Sequence, residues 1–258
     1  MKKITLIAAL LLMALPLLAG TKTVDITRDA TADADVSIEL ISGTIRVVVG
    51  SNSEVRIRGT VNDRWETVEV DGDDDDISIE VDLPSGTHNN VRLEADLEIS
   101  VPAGVELSIE TVSSEIWVEG LTGSVSVETV SGDIDIDGNM EEILVESVSG
   151  SIDIRGGKST DTIEVELVSG TVEVSGGFNN GGDYSIGAVS GNITLRVPAG
   201  FGAEYEIETF SGSIKSDFGP TPKRAEYLPS KSLSFTEGNG SADVEIETFS
   251  GTIRLQKS

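Results

Sequence analysis

Between residues 105 and 155 apolar side chains fall on every second position in short runs, and one phrase keeps returning. It reads apolar, any, apolar, Glu, small, Val, Ser, Gly, any, apolar, any, apolar. One copy is Val127-Glu128-Thr129-Val130-Ser131-Gly132-Asp133-Ile134-Asp135-Ile136, and the next is Val145-Glu146-Ser147-Val148-Ser149-Gly150-Ser151-Ile152-Asp153-Ile154. Period-two alternation predicts half-buried β-strands, because successive strand side chains point to opposite faces. Counted by the residue before the Ser, copies stand at Val112, Val130, Val148, Val168, Val189, Phe210 and Phe249, in steps of 18, 18, 20, 21, 21 and 39. An outlying copy runs from Ile38 to Val47. A repeat of this length marks stacked units. The expected fold is all-β, a single-stranded β-helix (β-solenoid) with coils of roughly 18–21 residues. An antiparallel sandwich is the competitor, but it gives identical residues no reason to align.

Parity inside a copy predicts where the chain turns. Val125, Val127 and Thr129 share one parity, whereas Val130, Gly132, Ile134 and Ile136 share the other. The expected bend therefore lies between Thr129 and Val130. Gly132 then sits on the inward side, where a Cβ is crowded or an unusual φ is needed. Stacked coils about 4.8 Å apart align equivalent residues into ladders. Val and Ile ladders fill the interior. Ser131, Ser149, Ser169, Ser190 and Ser211 line the corner and can pass hydroxyl hydrogen bonds along it, and Glu110, Glu128, Glu146 and Glu166 face outward. Stacked carboxylates repel by roughly 0.9 kcal/mol per neighbour at water's dielectric. Each buried aliphatic side chain contributes about 1.5–3 kcal/mol, so the core prevails without an ion.

The flanking segments set the boundaries. Residues 1–20, with Lys2 and Lys3, an apolar run from Ile4, then Pro16 and Ala19-Gly20, have the layout of a cleaved signal peptide. Residues 21–258 are expected to form a single β-solenoid domain: irregular first coils over 36–108, regular coils over 109–215, a Pro-rich excursion over 216–241 and a last coil over 242–258. The excursion holds Lys223, Arg224 and Lys231, and it is expected to replace or widen one coil, which accounts for the long step. Two Val-Pro-Ala-Gly phrases, at 101–104 and 197–200, look like related corners entering a new coil.

Composition narrows the function classes. There is no Cys, so neither disulfides nor thiolate-bound metal holds the chain together. Basic residues number 18 against 45 acidic ones, a formal net charge of −27, and removing a leader with two Lys and no acid deepens it to −29. Such a surface repels nucleic acid and anionic lipid. No catalytic, cofactor-binding or metal-ligating residue is assigned, and no cofactor. The sole His, His88, lies in a Pro- and Asn-containing loop with no triad motif around it. Asp133, Asp135 and Asp137 mimic the start of an EF-hand loop, but Leu144 stands where its bidentate Glu belongs. The run from Asp73 to Asp76 offers oxygen ligands for Ca²⁺, though acidic runs are usually solvated. Trp117 has the outward parity and either stacks on a sugar ring or packs beneath a neighbour.

The Val-Pro-Ala-Gly phrases leading into Ser-Gly-x-Ile-x-Ile repeats, with the ending from Gly238 to Ile253, resemble a bacterial "putative adhesin" family of unknown function. The related head GIN-type autotransporter adhesins look similar. The resemblance covers roughly residues 36–258 and implies an exported or envelope β-solenoid without catalytic residues to carry over. Ser114 stands where the phrase has Gly, and Gly187 where it has Glu. The expected function is a non-catalytic, adhesin-like or scaffold module in the periplasm, at the cell surface or secreted. Its expected partner is an envelope, glycan or protein ligand, with self-association an option and no membrane span in the mature chain. The alternatives are a carbohydrate-active lyase or hydrolase on a β-helix, and a calcium-stabilised envelope module. Uniform acidic ladders favour the module; a few carboxylates clustered with Arg or Lys in one groove favour the enzyme.

Overall fold

The computed structural model describes residues 20–62, 67–82, 95–158 and 160–258. The expected leader up to residue 19 and the loop carrying His88 lie outside the described residues. In chain order, β1 (Thr21–Asp29) leads into β2 (Asp35–Val49), which holds the outlying repeat copy. Next come β3 (Glu54–Asn62), β4 (Thr67–Gly72), β5 (Asp76–Asp82) and β6 (Ala95–Val101). The regular region comprises β7 (Glu106–Glu119), β8 (Ser124–Ser131), β9 (Ile134–Asp137), β10 (Glu142–Gly156), β11 (Thr162–Gly176) and β12 (Asp183–Val197). The chain ends with β13 (Ala203–Thr209), β14 (Ser213–Ser216), β15 (Lys223–Arg224), β16 (Lys231–Thr236), β17 (Ala242–Ser250) and β18 (Thr252–Lys257). Every described element is a strand, and no helix among them is long and apolar enough to cross a membrane.

Parallel pairing stacks these strands as coils with equivalent repeat positions in register. Ser113, Ser131, Ser149, Ser169, Ser190 and Ser250 lie one above another. The stack runs β5/β6, β2, β7, β8/β9, β10, β11, β12, β17/β18, β13/β14. Antiparallel strands lie at both ends. At one, β3 lies on β6 with β1 beyond it, and β4 lies on β5. At the other, β16 lies on β13, with β15 beyond. The solenoid-like sheet is therefore mixed rather than purely parallel, with antiparallel strands on β5, β6 and β13.

Stack order departs from chain order at each end. β2 lies between β6 and β7, although β6 and β7 are consecutive in the chain. Likewise β17 lies between β12 and β13. Residues 102–104 and 198–202 thus each carry the chain across two coil spacings, about 9.6 Å, over a place filled by another segment. Both Val-Pro-Ala-Gly phrases mark these double steps. The 39-residue step has the same origin: the excursion does not replace a coil but carries the chain back, so that its last copy enters between the two preceding ones.

The interior is filled by aligned aliphatic ladders. One comprises Ile109, Val127, Val145, Val165, Ile186, Ile246 and Ile207, all at most 1% exposed. A second, across the corner, comprises Ile116, Ile134, Ile152, Val172 and Ile193. Both belong to one continuous core. Toward the C-terminal end aromatics take over: Tyr184 meets Phe178 edge-on at 5.0 Å, and Tyr205 stacks on Phe235 at 4.7 Å. The Tyr184 hydroxyl donates to the Thr160 carbonyl at 2.8 Å and accepts from the Asn179 N–H at 2.7 Å.

Burial pushes the Tyr184 hydroxyl up to about 12 and raises that of Tyr205 as well. An unfolded chain ionises these phenols near pH 10 while the folded one keeps them protonated, so stability is complete below pH 10 and falls as pH climbs towards 12. Urea midpoints measured from pH 8 to 12 should drop in that window, and Tyr184→Phe should flatten the drop.

The corner differs from expectation in one respect. Thr129 is buried, Val130 is 50% exposed, and Ile134 is again buried. Thr129 and Ile134 are five residues apart, an odd number, so the reversal of facing falls at residues 131–133 and not between Thr129 and Val130. Thr129 Oγ1 donates to the Ser131 carbonyl at 3.3 Å and pairs with Thr111 Oγ1 at 2.9 Å. Between these two coils the hydroxyl contact therefore sits on the inward Thr position, two residues before the Ser ladder. Gly132 adopts φ 141°, and a Cβ on it would fall 1.8 Å from the Ser114 carbonyl oxygen.

Candidate functional site

Because the chain turns after the Val rather than before it, each coil leaves that Val outside. Register places Ile41, Val112, Val130, Val148, Val168, Val189, Phe249 and Phe210 at the same corner of consecutive coils, and all are 39–57% exposed. Phe249 and Phe210 stack at 4.8 Å, nearly parallel, at one end of the column. Two residues earlier on the same face runs an acidic column: Glu39, Glu110, Glu128, Glu146, Glu166, then Gly187, then Glu247 and Glu208. The side chain between them, as at Thr111, Thr129 or Leu167, points inward and floors the gap.

The result is a groove of about 870 Å³ running from the coil of Glu110 to that of Phe210. Seven coils at about 4.8 Å per step give it a length near 29 Å. One wall is carboxylate, the other aliphatic and aromatic, and its lining holds no Lys, Arg or His. Gly187 interrupts the acidic wall; a Cβ there would meet nothing nearer than 3.8 Å, so the gap is open space. Ser230, from the excursion, borders the groove.

The other singled-out residues lie elsewhere. Arg155 pairs with Asp135, with Asp137 at 3.0 Å and with Asp153 at 2.5 Å, while Asp133 accepts the Ser151 N–H at 3.1 Å. Three of these acids are thus neutralised by the Arg155 guanidinium, and Asp133 is engaged by a backbone N–H. The Asp73 carboxylate accepts the N–H groups of Asp75 and Asp76 at 3.1 and 3.2 Å, and Asp75 accepts the Thr31 hydroxyl at 2.9 Å. That acidic run shapes a turn. Among the described residues no three acidic or His side chains converge as a metal set. Trp117 carries the Arg46 guanidinium over its ring at 5.1 Å, and Arg46 also pairs with Glu119 at 2.6 Å, so that ring face is already occupied.

Sequence reasoning found the Glu column but assigned the neighbouring Val to the inward parity, and so missed the groove's apolar wall. The odd spacing between the inward Thr and the inward Ile signalled a reversal in every copy but not its position, so the outward Val was not fixed by parity.

Residues 79–256 match the family described as Toastrack DUF4097. No curated protein matches the chain. Among solved structures, a "putative adhesin" from Bacteroides fragilis NCTC 9343 is 14% identical, with a TM-score of 0.51 over 92% of this chain and 98% of that one. A "putative cell adhesion protein" from Clostridium sporogenes ATCC 15579 is also 14% identical, with a TM-score of 0.38 over 92% of this chain and all of that one. A "putative lipid binding protein" from Parabacteroides distasonis ATCC 8503 is 12% identical, with a TM-score of 0.39 over 91% and 96%.

Proposed function

The chain belongs to the Toastrack DUF4097 family, and from that premise we propose that it is an exported, non-catalytic, adhesin-like binding module that holds its ligand in the corner groove. Residues 21–258 act as one domain in this reading, its regular coils a single-stranded β-helix. The observation that carries the proposal is the pairing of an apolar and an acidic wall along about 29 Å of stacked corners. A rigid stack holds these side chains at fixed intervals, so many weak contacts add without ordering a loop. The name of the B. fragilis protein agrees with this use of the fold. The uniform acidic wall, with no basic group in the lining, supports a binding module over a lyase for acidic sugars.

Val148 and Val168 are 47% and 46% exposed, so Val148→Glu combined with Val168→Glu changes the groove without emptying the core. Screened against arrayed glycans and purified envelope polymers, the wild-type mature chain should retain at least one ligand, and the double variant should bind it at least tenfold more weakly at an unchanged Tm. Equal binding by both proteins would refute the groove. Release of shortened sugar chains would convert the reading to an enzyme.

A further inference from the structure

The groove lacks a cation, whereas the C-terminal end of the stack presents one beside an unburied apolar tip. Strand β15 pairs with β16 as a short hairpin arm, and the Ala225 N–H donates to the Ser230 carbonyl at 3.1 Å to close its turn. At the tip Tyr227 is 88% exposed and Leu228 56% exposed. Lys223 and Arg224, at the arm's strand, are exposed and hold no carboxylate among the described residues. Elsewhere Arg46, Arg56, Arg155, Arg196 and Lys257 are ion-paired and Lys231 donates to the Gly212 carbonyl at 2.7 Å, whereas Lys22, Lys215 and Arg254 form no ion pair among the described residues but are not set beside an exposed aromatic tip. The arm carries Lys223 and Arg224 against one acid, Glu226, and ends in the apolar tip of Tyr227 and Leu228, so it is complementary in sign and polarity to an acidic and apolar groove.

We propose that the groove of one copy receives the 223–230 arm of a second copy, so that molecules associate head to tail. This rests on the groove reading above. Tyr227 enters the gap at Gly187, the one place where the acidic wall is interrupted. Lys223 and Arg224 then face Glu166 and Glu247, which flank that gap in the stack. The arm's own groove does not take it, since Ser230 borders that groove while Tyr227 stays in solvent. Groove-to-groove docking is opposed, because it brings two acidic columns together. Arm-into-groove contact is heterologous, so it propagates as a ring or an open filament.

The test is sedimentation velocity of the mature chain over a wide concentration series at about 0.15 M and about 0.5 M salt. The wild type should associate with rising concentration, and more weakly at the higher salt. An arm variant, Lys223→Glu with Arg224→Glu, and a groove variant, Glu166→Lys with Glu247→Lys, should each associate at least tenfold more weakly. Mixed in equal amounts they should recover association, because each arm then meets a groove of opposite sign. All four positions are exposed, and matched melting curves verify that the variants fold. A wild type that stays monomeric, an arm variant that associates like the wild type, or a mixture that fails to recover would each overturn the proposal. A monomeric wild type that still binds an external ligand through Val148 and Val168 would remove self-assembly and leave the groove reading standing.

Discussion

A chain ending at Ser241 should show no cooperative thermal transition, although it lacks only residues 242–258. In a solenoid stacked in chain order this deletion removes an end coil and leaves a shorter tube. Here β17 and β18 lie inside the stack, between β12 and the coil of β13 and β14. The truncation strips the partner from two edges at once and withdraws Val244, Ile246, Ile253 and Leu255, all at most 2% exposed, from the core. At about 1.5–3 kcal/mol each, these four side chains alone contribute about 6–12 kcal/mol, comparable with the whole stability of an ordinary domain. Deleting residues 142–161 is the control. It removes a similar length but joins two coils in matching register, since Glu142 and Thr162 are partners. That variant should still melt cooperatively, at a lower temperature. Circular dichroism melts of the three chains distinguish the cases: a truncated chain melting within a few degrees of the full one would contradict the interleaved order.

Gly150→Val should cost about 4 kcal/mol or more, far beyond a typical surface substitution. The φ of 145° at Gly150 is one that an L side chain rarely adopts, and its Cβ would lie 1.9 Å from the carbonyl oxygen of Gly132 in the coil beneath. Gly170 repeats the contact against Gly150 at 1.9 Å. Gly132 is backbone tied to the next coil, its N–H donating to the Ser149 carbonyl at 3.2 Å, so relieving the clash separates the coils at the corner. Val148→Ala, two residues away and exposed, serves as the comparison and should change stability by less than about 0.5 kcal/mol. Urea unfolding of both variants measures the difference; a Gly150→Val protein as stable as Val148→Ala would show that the coils do not approach so closely at the corner.

The resemblance to a family with adhesin-named members was legible from the repeat phrase and the Val-Pro-Ala-Gly corners, and the Toastrack DUF4097 match agrees at that level. The all-β character and the Gly-centred corner were legible for physical reasons. Period-two alternation has one structural meaning, and a Gly returning at a fixed place marks backbone that a side chain would obstruct. Half of the candidate site was legible too. The Glu column followed from register, but its apolar wall did not, because parity alone does not say which residue carries the reversal. Hydrophobicity argued for placing Val130 inside. The turn at Ser131-Gly132-Asp133 and the inward Thr129 hydroxyl decided otherwise.

By itself, the sequence determined the repeat, the strand faces and the surplus of negative charge, all of which reside in local pattern and composition. Only the tertiary structure decided the order of the coils, the antiparallel strands at the ends and the groove that the aligned corners create. Stack order depends on which edges meet across long loops, and equivalent repeats carry almost the same edge, so nothing local distinguishes the neighbour in the chain from the neighbour in space.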